Sequence, residues 1–167
     1  MVSITSQPVK MGGEWFFYHG GTKAHHDWWC GPPEGIDHPD AHDPAAAMRD
    51  AYALGLAKLR KEGFASLAGG RERPGYVLTK PFKTTGNRLT INARCNPGGS
   101  ITVGVLDTDR NPLEGHAHEQ CEPFTGDSTA HEVTWGGSAG MGQPGKWRQL
   151  LFMIRDAEIF SFRCPAV

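Results

Sequence analysis

Apolar and polar residues alternate most regularly between residues 87 and 107. Two runs, 89–94 and 101–106, each place three apolar side chains on one face of an extended chain. These side chains are Leu89, Ile91, Ala93, Ile101, Val103 and Val105. Between the runs lies Asn96-Pro97-Gly98-Gly99, a four-residue turn of the length that joins antiparallel strands. The pattern therefore predicts two strands joined as an antiparallel hairpin.

Shorter runs of the same kind lie on both sides of this stretch. They occupy residues 64–67, 76–80, 131–135, 147–155 and 158–163. The 22 glycines and 12 prolines favour turns between short strands over long helices. Strands at this spacing predict an all-β chain in which residues 64–167 form an antiparallel, jelly-roll-like β-sandwich. The last strand is expected to pair inside a sheet.

Residues 1–63 are less regular and form a separate N-terminal part. Residues 14–21 predict an aromatic strand that ends at a pair of glycines, and residues 22–44 follow as a long irregular loop rich in His and Asp. The segment 52–60 is ambiguous. Asp43-Pro44 resembles a helix start and apolar residues follow at helical spacing, but Tyr52, Leu54 and Leu56 also alternate as in a strand.

The charge balance narrows the classes of partner. Lys and Arg number 17 and Asp and Glu number 18, which gives a formal net charge of -1 without a basic stripe. Nucleic acid and anionic membrane surfaces are therefore not expected as partners. No apolar run reaches the roughly 20 residues of a membrane-spanning helix, and residues 1–5 lack the pattern of a signal peptide.

The four cysteines are Cys30, Cys95, Cys121 and Cys164, and they lie far apart without a C-x-x-C pair. This spacing argues against a thiolate zinc site. Two disulfides could be formed in three ways, which the sequence does not distinguish. We expect mostly unpaired, partly buried thiols.

Several motifs resemble, in the same order, those of glycoside hydrolase-like proteins in which a five-bladed propeller precedes a β-sandwich. The segment 54–67 is similar to the junction "GLA-LR-DGF-SL" of that family, and Tyr18-His19-Gly20-Gly21-Thr22 to its last propeller strands, "YYGGT". Further similarities are "TKP" at 78–82, "L-LN" at 89–93, "V-VLD-DG-PI" at 101–113, "C-PI-GDS" at 121–128, "V-W-GGSD" at 133–138 and "DADLYSF" at 154–162.

This resemblance has four implications. Residues 52–60 become the returning strand of a propeller-blade-like remnant, which leaves at most a short helix at 44–50. Residues 64–167 become a C-terminal accessory β-sandwich that would follow an upstream propeller domain. The family's catalytic carboxylates belong to earlier blades that this chain lacks, so its hydrolase activity is not carried over. The parent family is expected outside the cytoplasm, although the chain shows no signal peptide, and localisation stays unassigned.

The irregular loop contains the densest group of polar and aromatic residues. Trp28 and Trp29 could stack on the C–H face of a sugar ring, with polar contacts from His25, His26 and Asp27. These five residues form the predicted ligand site for carbohydrate. The alternative interpretation is that the two tryptophans cover the end or an edge of the sandwich.

The same loop suggests a metal site. Asp37, His38, Asp40 and His42 combine imidazole and carboxylate groups, which suit divalent ions such as calcium or zinc. Alternate residues such as His38, Asp40 and His42 lie on one side of an extended segment. No fixed metal-binding template is present, and a solvated loop whose side chains bond local backbone groups explains the same residues.

Two other groupings are weaker. Asp127 and Ser128 with His131 are reminiscent of a catalytic triad, but adjacent side chains point apart and no nucleophile elbow is present. Glu119 and Glu122 could act as an acid and base pair in glycoside cleavage. We assign neither group a catalytic role.

These observations favour a non-catalytic β-sandwich module that is structural or binds carbohydrate weakly. The alternative is a small metal-assisted hydrolase related to glycosidases, in which an ion held by the loop activates water. A third hypothesis is self-association through the aromatic strand Trp15–Tyr18.

The metal content of the purified protein separates the first two hypotheses. The accessory-module hypothesis predicts less than about a tenth of an equivalent of bound divalent metal, before and after reconstitution, because its mechanism uses no ion. The hydrolase hypothesis predicts about one equivalent. Elemental analysis of purified protein measures this directly, and loss of metal in a His38→Ala variant would assign it to the loop.

Overall fold

The computed structural model describes residues 2–4, 7–22, 52–84 and 86–164. The chain divides into two compact units, Met1–Lys61 and Glu62–Val167. The described residues form ten β-strands and one short 3-10 helix at His118–Gln120, with no α-helix among them. The predicted helix at 44–50 lies outside the described residues.

The first unit is an antiparallel sheet built around one central strand. Its strands are β1 (Val2–Ile4), β2 (Val9–Met11), β3 (Glu14–Thr22) and β4 (Tyr52–Arg60). β4 pairs along the whole length of β3, and β1 and β2 pair end to end along its other edge. The prediction of a strand at 52–60, with its return along the aromatic strand, is confirmed.

The side chain of His19 explains why β4 contains a glycine, Gly55, at its centre. Gly55 lies directly opposite His19 in the pairing of β3 with β4. A Cβ atom at this position would collide with the imidazole ring of His19. The glycine therefore leaves room for the imidazole ring of His19 beside the neighbouring strand.

The second unit is organised around two strands of 17 residues each. Its strands are β5 (Leu67–Gly69), β6 (Gly75–Leu78), β7 (Phe82–Lys83), β8 (Thr90–Leu106), β9 (Asp127–Glu132) and β10 (Trp147–Arg163). β8 and β10 pair antiparallel along their full length. The short strands β5, β6 and β7 line the other edge of β10, and β9 lines the other edge of β8.

The all-β, antiparallel fold is confirmed, and so is the placement of the last strand inside a sheet. The predicted hairpin at 96–99 is wrong. Both halves of β8 pair with β10 in the same direction, from Cys95 opposite Ala157 to Ser100 opposite Arg155. The four residues Asn96–Gly99 therefore form a bulge opposite the single residue Asp156 of β10. Residues that favour φ > 0 occur in bulges as well as in turns. The partner of both halves of β8 is β10, whose sequence also alternates.

The bulge is one part of a corner at which the sheet bends. On β10 the corner lies at Asp156, whose backbone has φ +46, and on β8 at Gly98, with φ +83. A Cβ atom on Gly99 would collide with the carbonyl of Asp156, and one on Gly69 with the carbonyl of Ile154. Only glycine fits these close backbone approaches.

Side-chain hydrogen bonds stabilise this corner. The carboxylate of Asp156 accepts hydrogen bonds from Asn96 Nδ2 at 2.8 Å and from Arg71 Nε at 2.9 Å. Arg71 also donates to the carbonyl of Pro97. The bonds from Asn96 and Arg71 lower the pKa of the Asp156 carboxyl. One aspartate thus joins the corners of β8 and β10 to the turn between β5 and β6.

Contacts between the two ends of β8 show that the bend creates two layers. A straight strand of this length would span about 55 Å. Instead, Arg88 forms a β-bridge with Gly140, whose carbonyl lies 2.6 Å from Nε2 of His116. The carbonyl of His116 accepts a hydrogen bond from the N–H of Val105. The halves of the strand pair therefore fold toward each other as in the predicted sandwich.

The inner faces of the layers form one apolar core. Trp135 joins the layers, because the segment that follows β9 carries it across to donate from Nε1 to the carbonyl of Val103 at 2.7 Å. The buried apolar residues are Leu89, Ile91, Ala93, Ile101, Val103, Val105, Cys121, Phe124, Val133, Trp135, Met141, Leu150, Phe152, Ile154, Ala157 and Ile159. Trp147, at the start of β10, is 53% exposed.

Alanine at the corner glycines should destabilise the second unit. Gly69→Ala and Gly99→Ala each force a methyl group against a backbone carbonyl, and we expect a loss of about 1–3 kcal/mol in the free energy of unfolding. Gly70→Ala is the matched control, because its added methyl group meets its nearest neighbour, the Arg73 carbonyl, at 3.5 Å. Urea unfolding measures all three. Equal loss in the control would contradict the proposed close approach.

The Asp156 contacts should make stability depend on pH. The pKa of Asp156 is lower in the folded chain than the value of about 3.9 expected in the unfolded chain. Its contribution is therefore complete above that value and is lost as the pH falls through the folded-state pKa. Asp156→Asn keeps a residue that tolerates positive φ but removes the charge.

The melting temperature of this variant should lie below that of the wild type at pH 7, and the gap should narrow below about pH 4. Melting curves at pH 3 to 7 test this. A gap that does not change with pH would show that the carboxylate charge contributes nothing.

Candidate functional site

An open cleft of about 410 Å³ lies between the two layers of the second unit, on the side where β5 and β6 form the edge. It has this position because Leu67, Val77 and Phe162 point to the inner side of the sheet near an edge that no further strand closes among the described residues. The cleft is lined by Ala65, Ser66, Leu67, Val77, Thr79, Phe152, Ile159, Phe160, Ser161 and Phe162. This volume is within the range of sites for small ligands.

A bulge in β10 lies in the wall of the cleft. The register between β10 and β8 shifts between Ile159 and Ser161, which places Phe160 at the shift. In a regular strand, neighbouring side chains would point to opposite faces. Here residues 159 to 162 all line the cleft.

Aromatic rings form much of the cleft wall. Phe152 is almost completely buried, whereas 37% of the surface of Phe162 is exposed. The two ring centroids lie 5.5 Å apart, and the ring of Phe82 lies 5.9 Å from that of Phe162 on the other side. Phe162 is thus held in place by packed neighbours and still presents part of its surface to a ligand.

A hydroxyl and a carboxylate lie at one side of the cleft. Ser161 Oγ donates to Glu62 Oε2 at 2.9 Å. The second carboxylate oxygen of Glu62 forms an ion pair with Arg163. This carboxylate is therefore engaged on both oxygens.

A similar arrangement lies at the strand β5. Ser66 Oγ donates to Glu158 Oε2 at 2.8 Å, and Arg94 Nε donates to the other carboxylate oxygen at 3.0 Å. Two serines that line the cleft, Ser66 and Ser161, thus each donate to a carboxylate that also pairs with an arginine. Such a site can exchange hydrogen bonds with a polar ligand, but neither carboxylate is arranged as a general acid.

A third hydroxyl, that of Thr79, belongs mainly to the sheet. Thr79 Oγ1 accepts a hydrogen bond from the N–H of Leu150 at 2.9 Å, and its carbonyl accepts from Gln149 Nε2. Thr79 extends the edge beyond β6 and fixes the wall of the cleft.

The site residues predicted from sequence lie outside the described residues. They are His25, His26, Asp27, Trp28 and Trp29 for a ligand, and Asp37, His38, Asp40 and His42 for a metal. Within the described ranges, no group of three His, Cys, Asp or Glu side chains is placed to hold a metal ion. The loop hypotheses therefore stay predictions.

The residues reminiscent of a triad have separate structural contacts. Ser128 Oγ accepts a hydrogen bond from the N–H of Ala130 at 3.2 Å. The imidazole of His131 packs on Phe124 with ring centroids 4.4 Å apart. Burial lowers the pKa of His131. These contacts indicate structural roles on β9.

Glu119 and Glu122 likewise bind different groups. Glu119 lies 3.0 Å from Nε2 of the adjacent His118. Glu122 accepts hydrogen bonds from the N–H of Gly137 at 2.7 Å and from the hydroxyl of Thr134. Glu122 therefore holds the turn after Trp135.

In the described part of the chain, Cys95, Cys121 and Cys164 form no disulfide, as expected. Burial raises the pKa of the thiols of Cys95 and Cys121, and it raises the pKa of Cys164 to about 11. Because the thiolate is the reactive form, these residues are poor nucleophiles. Cys30 lies outside the described residues.

The sequence interpretation missed the cleft because it depends on strand register. Phe160 and Phe162 flank Ser161 in a run that reads as an ordinary strand. The available signal was Ile159-Phe160, two large apolar residues in succession, which breaks strict alternation and is compatible with a bulge.

No family model, curated protein or solved structure matches this chain. The described residues include no helix that is long and apolar enough to cross a membrane.

Proposed function

We propose that the second unit is a non-catalytic accessory module of a glycoside hydrolase-like protein and that it binds carbohydrate weakly in the cleft. One observation supports this proposal more than any other. The lining of the cleft combines a partly exposed aromatic ring, Phe162, with two serines, Ser66 and Ser161, whose hydroxyls donate to neighbouring carboxylates.

This combination matches the chemistry of a pyranose ring. The C–H face of such a ring is apolar and packs on an aromatic side chain, while its hydroxyl groups point outward and exchange hydrogen bonds. A strongly charged ligand would gain little, because the arginines beside the cleft already pair with Glu62 and Glu158.

The same contacts argue for binding without catalysis. Glycoside cleavage needs a carboxylic acid that carries a proton and a second carboxylate across the scissile bond. Glu62 and Glu158 are instead each bound to a serine hydroxyl and to an arginine. Such ion-paired carboxylates orient neighbouring groups.

Substitution of Phe162 should weaken glycan binding. We expect millimolar binding of at least one member of a glycan panel to the wild type. Phe162→Ala should weaken this binding by roughly three- to tenfold, because one aromatic stacking contact contributes about 0.5–1.5 kcal/mol. Titration calorimetry with neutral and acidic mono- and disaccharides measures the effect, and melting curves check that the variant folds.

Matched substitutions locate the site. Tyr76→Ala and Trp147→Ala remove aromatic side chains that are 62% and 53% exposed but do not line the cleft, and binding should be unchanged. Trp28→Ala tests the loop platform predicted from sequence. Loss of binding in Trp28→Ala alone would move the site to the loop. No binding by the wild type at millimolar concentration would leave only a structural role.

A further inference from the structure

The outer edge of β4 is open among the described residues. Within the described ranges, β4 pairs with β3 alone, along one of its two edges. Backbone N–H and C=O groups on the other edge can therefore accept another strand. Proteins usually block such an edge with charged residues or proline, but residues 53–57 contain neither.

The sequence of this edge is symmetric about its glycine. Ala53-Leu54-Gly55-Leu56-Ala57 reads the same in both directions. If two copies of the strand pair antiparallel about a two-fold axis at Gly55, Leu54 of one copy faces Leu56 of the other. Ala53 then faces Ala57, and Gly55 faces Gly55. Every position meets a residue of the same size and character as its own.

The exposed side chains fit this arrangement. Leu54 is 77% exposed and Leu56 is 43% exposed, and both lie on the face that also carries Tyr18. Cross-strand pairing would place the leucines of both copies in one apolar cluster. On the opposite face, Ala53, Gly55 and Ala57 leave room for the imidazole of His19 to remain over Gly55.

From this geometry we propose that two copies of the chain form a symmetric dimer by antiparallel pairing of their β4 edges. The first-unit sheets of the two copies then become one continuous sheet. The proposal is independent of the cleft, which belongs to the second unit.

Pairing at the edge is favoured over stacking of two sheet faces. Lys58 lies on the same face as the leucines, with its ammonium group 4.9 Å from the centre of the Phe16 ring. Face-to-face stacking would bury this charge in each copy, which is costly without a partner. Edge pairing leaves Lys58 near the end of the paired segment, where water can reach it.

Sedimentation equilibrium of the full chain tests the dimer. The wild type should show a reversible monomer–dimer equilibrium in the micromolar range, and Leu54→Lys should weaken it by about tenfold or more, because two ammonium groups would enter an apolar cluster. Val9→Lys is the matched control. Val9 is 45% exposed on the same face but lies on β2, at the opposite edge, so this variant should dimerise normally.

A charge pair tests the register. Leu54→Lys and Leu56→Glu should each weaken the dimer, and the double variant should recover it at low salt. In the double variant the introduced ammonium group of one copy faces the introduced carboxylate of the other, and this contact forms twice across the axis. High salt should weaken the recovered dimer. Circular dichroism checks that each variant retains its strands.

Three results would overturn the proposal. One is a wild type that remains monomeric at all accessible concentrations. Another is dissociation by Val9→Lys as complete as that by Leu54→Lys, which would indicate stacked faces. The third is a double variant that stays as weak as the single variants, which would exclude the register about Gly55.

Discussion

The carboxylate of Asp156 is the contact on which the second unit depends. It receives hydrogen bonds from Asn96 and Arg71 and thereby joins the bends of the two long strands and of the edge strands at one corner. Without a corner, β8 and β10 would form a long ribbon with one apolar face in water. Because the sheet bends there, the apolar residues of both halves meet in one core. The glycines around Asp156 are required by this bend, since backbones approach each other there more closely than a Cβ atom allows.

The sequence predicted the local structure well because alternation is a local property. The strands that contain Ile91, Val103 and Phe152 were recognisable from period two alone, and so was their grouping into antiparallel sheets. The hairpin at 96–99 failed for a physical reason. Asn, Pro and Gly specify a backbone that leaves the regular strand, but they do not specify whether the chain then reverses or continues. That choice is made by the partner residues on β10, Arg155 and Ala157, which lie more than fifty residues further along the chain.

The cleft was even harder to predict from local sequence patterns than the bulge at 96–99. Its wall is built from residues that are distant in sequence, such as Leu67, Val77 and Phe162, and only the register of three strands brings them together. The register shift at Phe160, beside the cleft, is a property of the pairing with β8. Candidate chemistry in the loop was easier to recognise, since His25, Trp28 and His38 lie within one short segment. A dense group of polar and aromatic residues can be recognised in the sequence. A cleft formed by residues from several strands cannot, because its position depends on how those strands pair.

The order of the strands also affects how the second unit reaches its folded state. The strand that pairs with β5, β6, β7 and β8 is β10, which follows all of them along the chain. Most of its contacts join residues far apart in sequence, an arrangement associated with slow folding. During synthesis from the N-terminus, the strands β5 to β8 are made before β10, their common partner. Their apolar faces therefore stay exposed until β10 has left the ribosome. The first unit has no such delay, because β3 is followed by its partner β4 before the second unit begins.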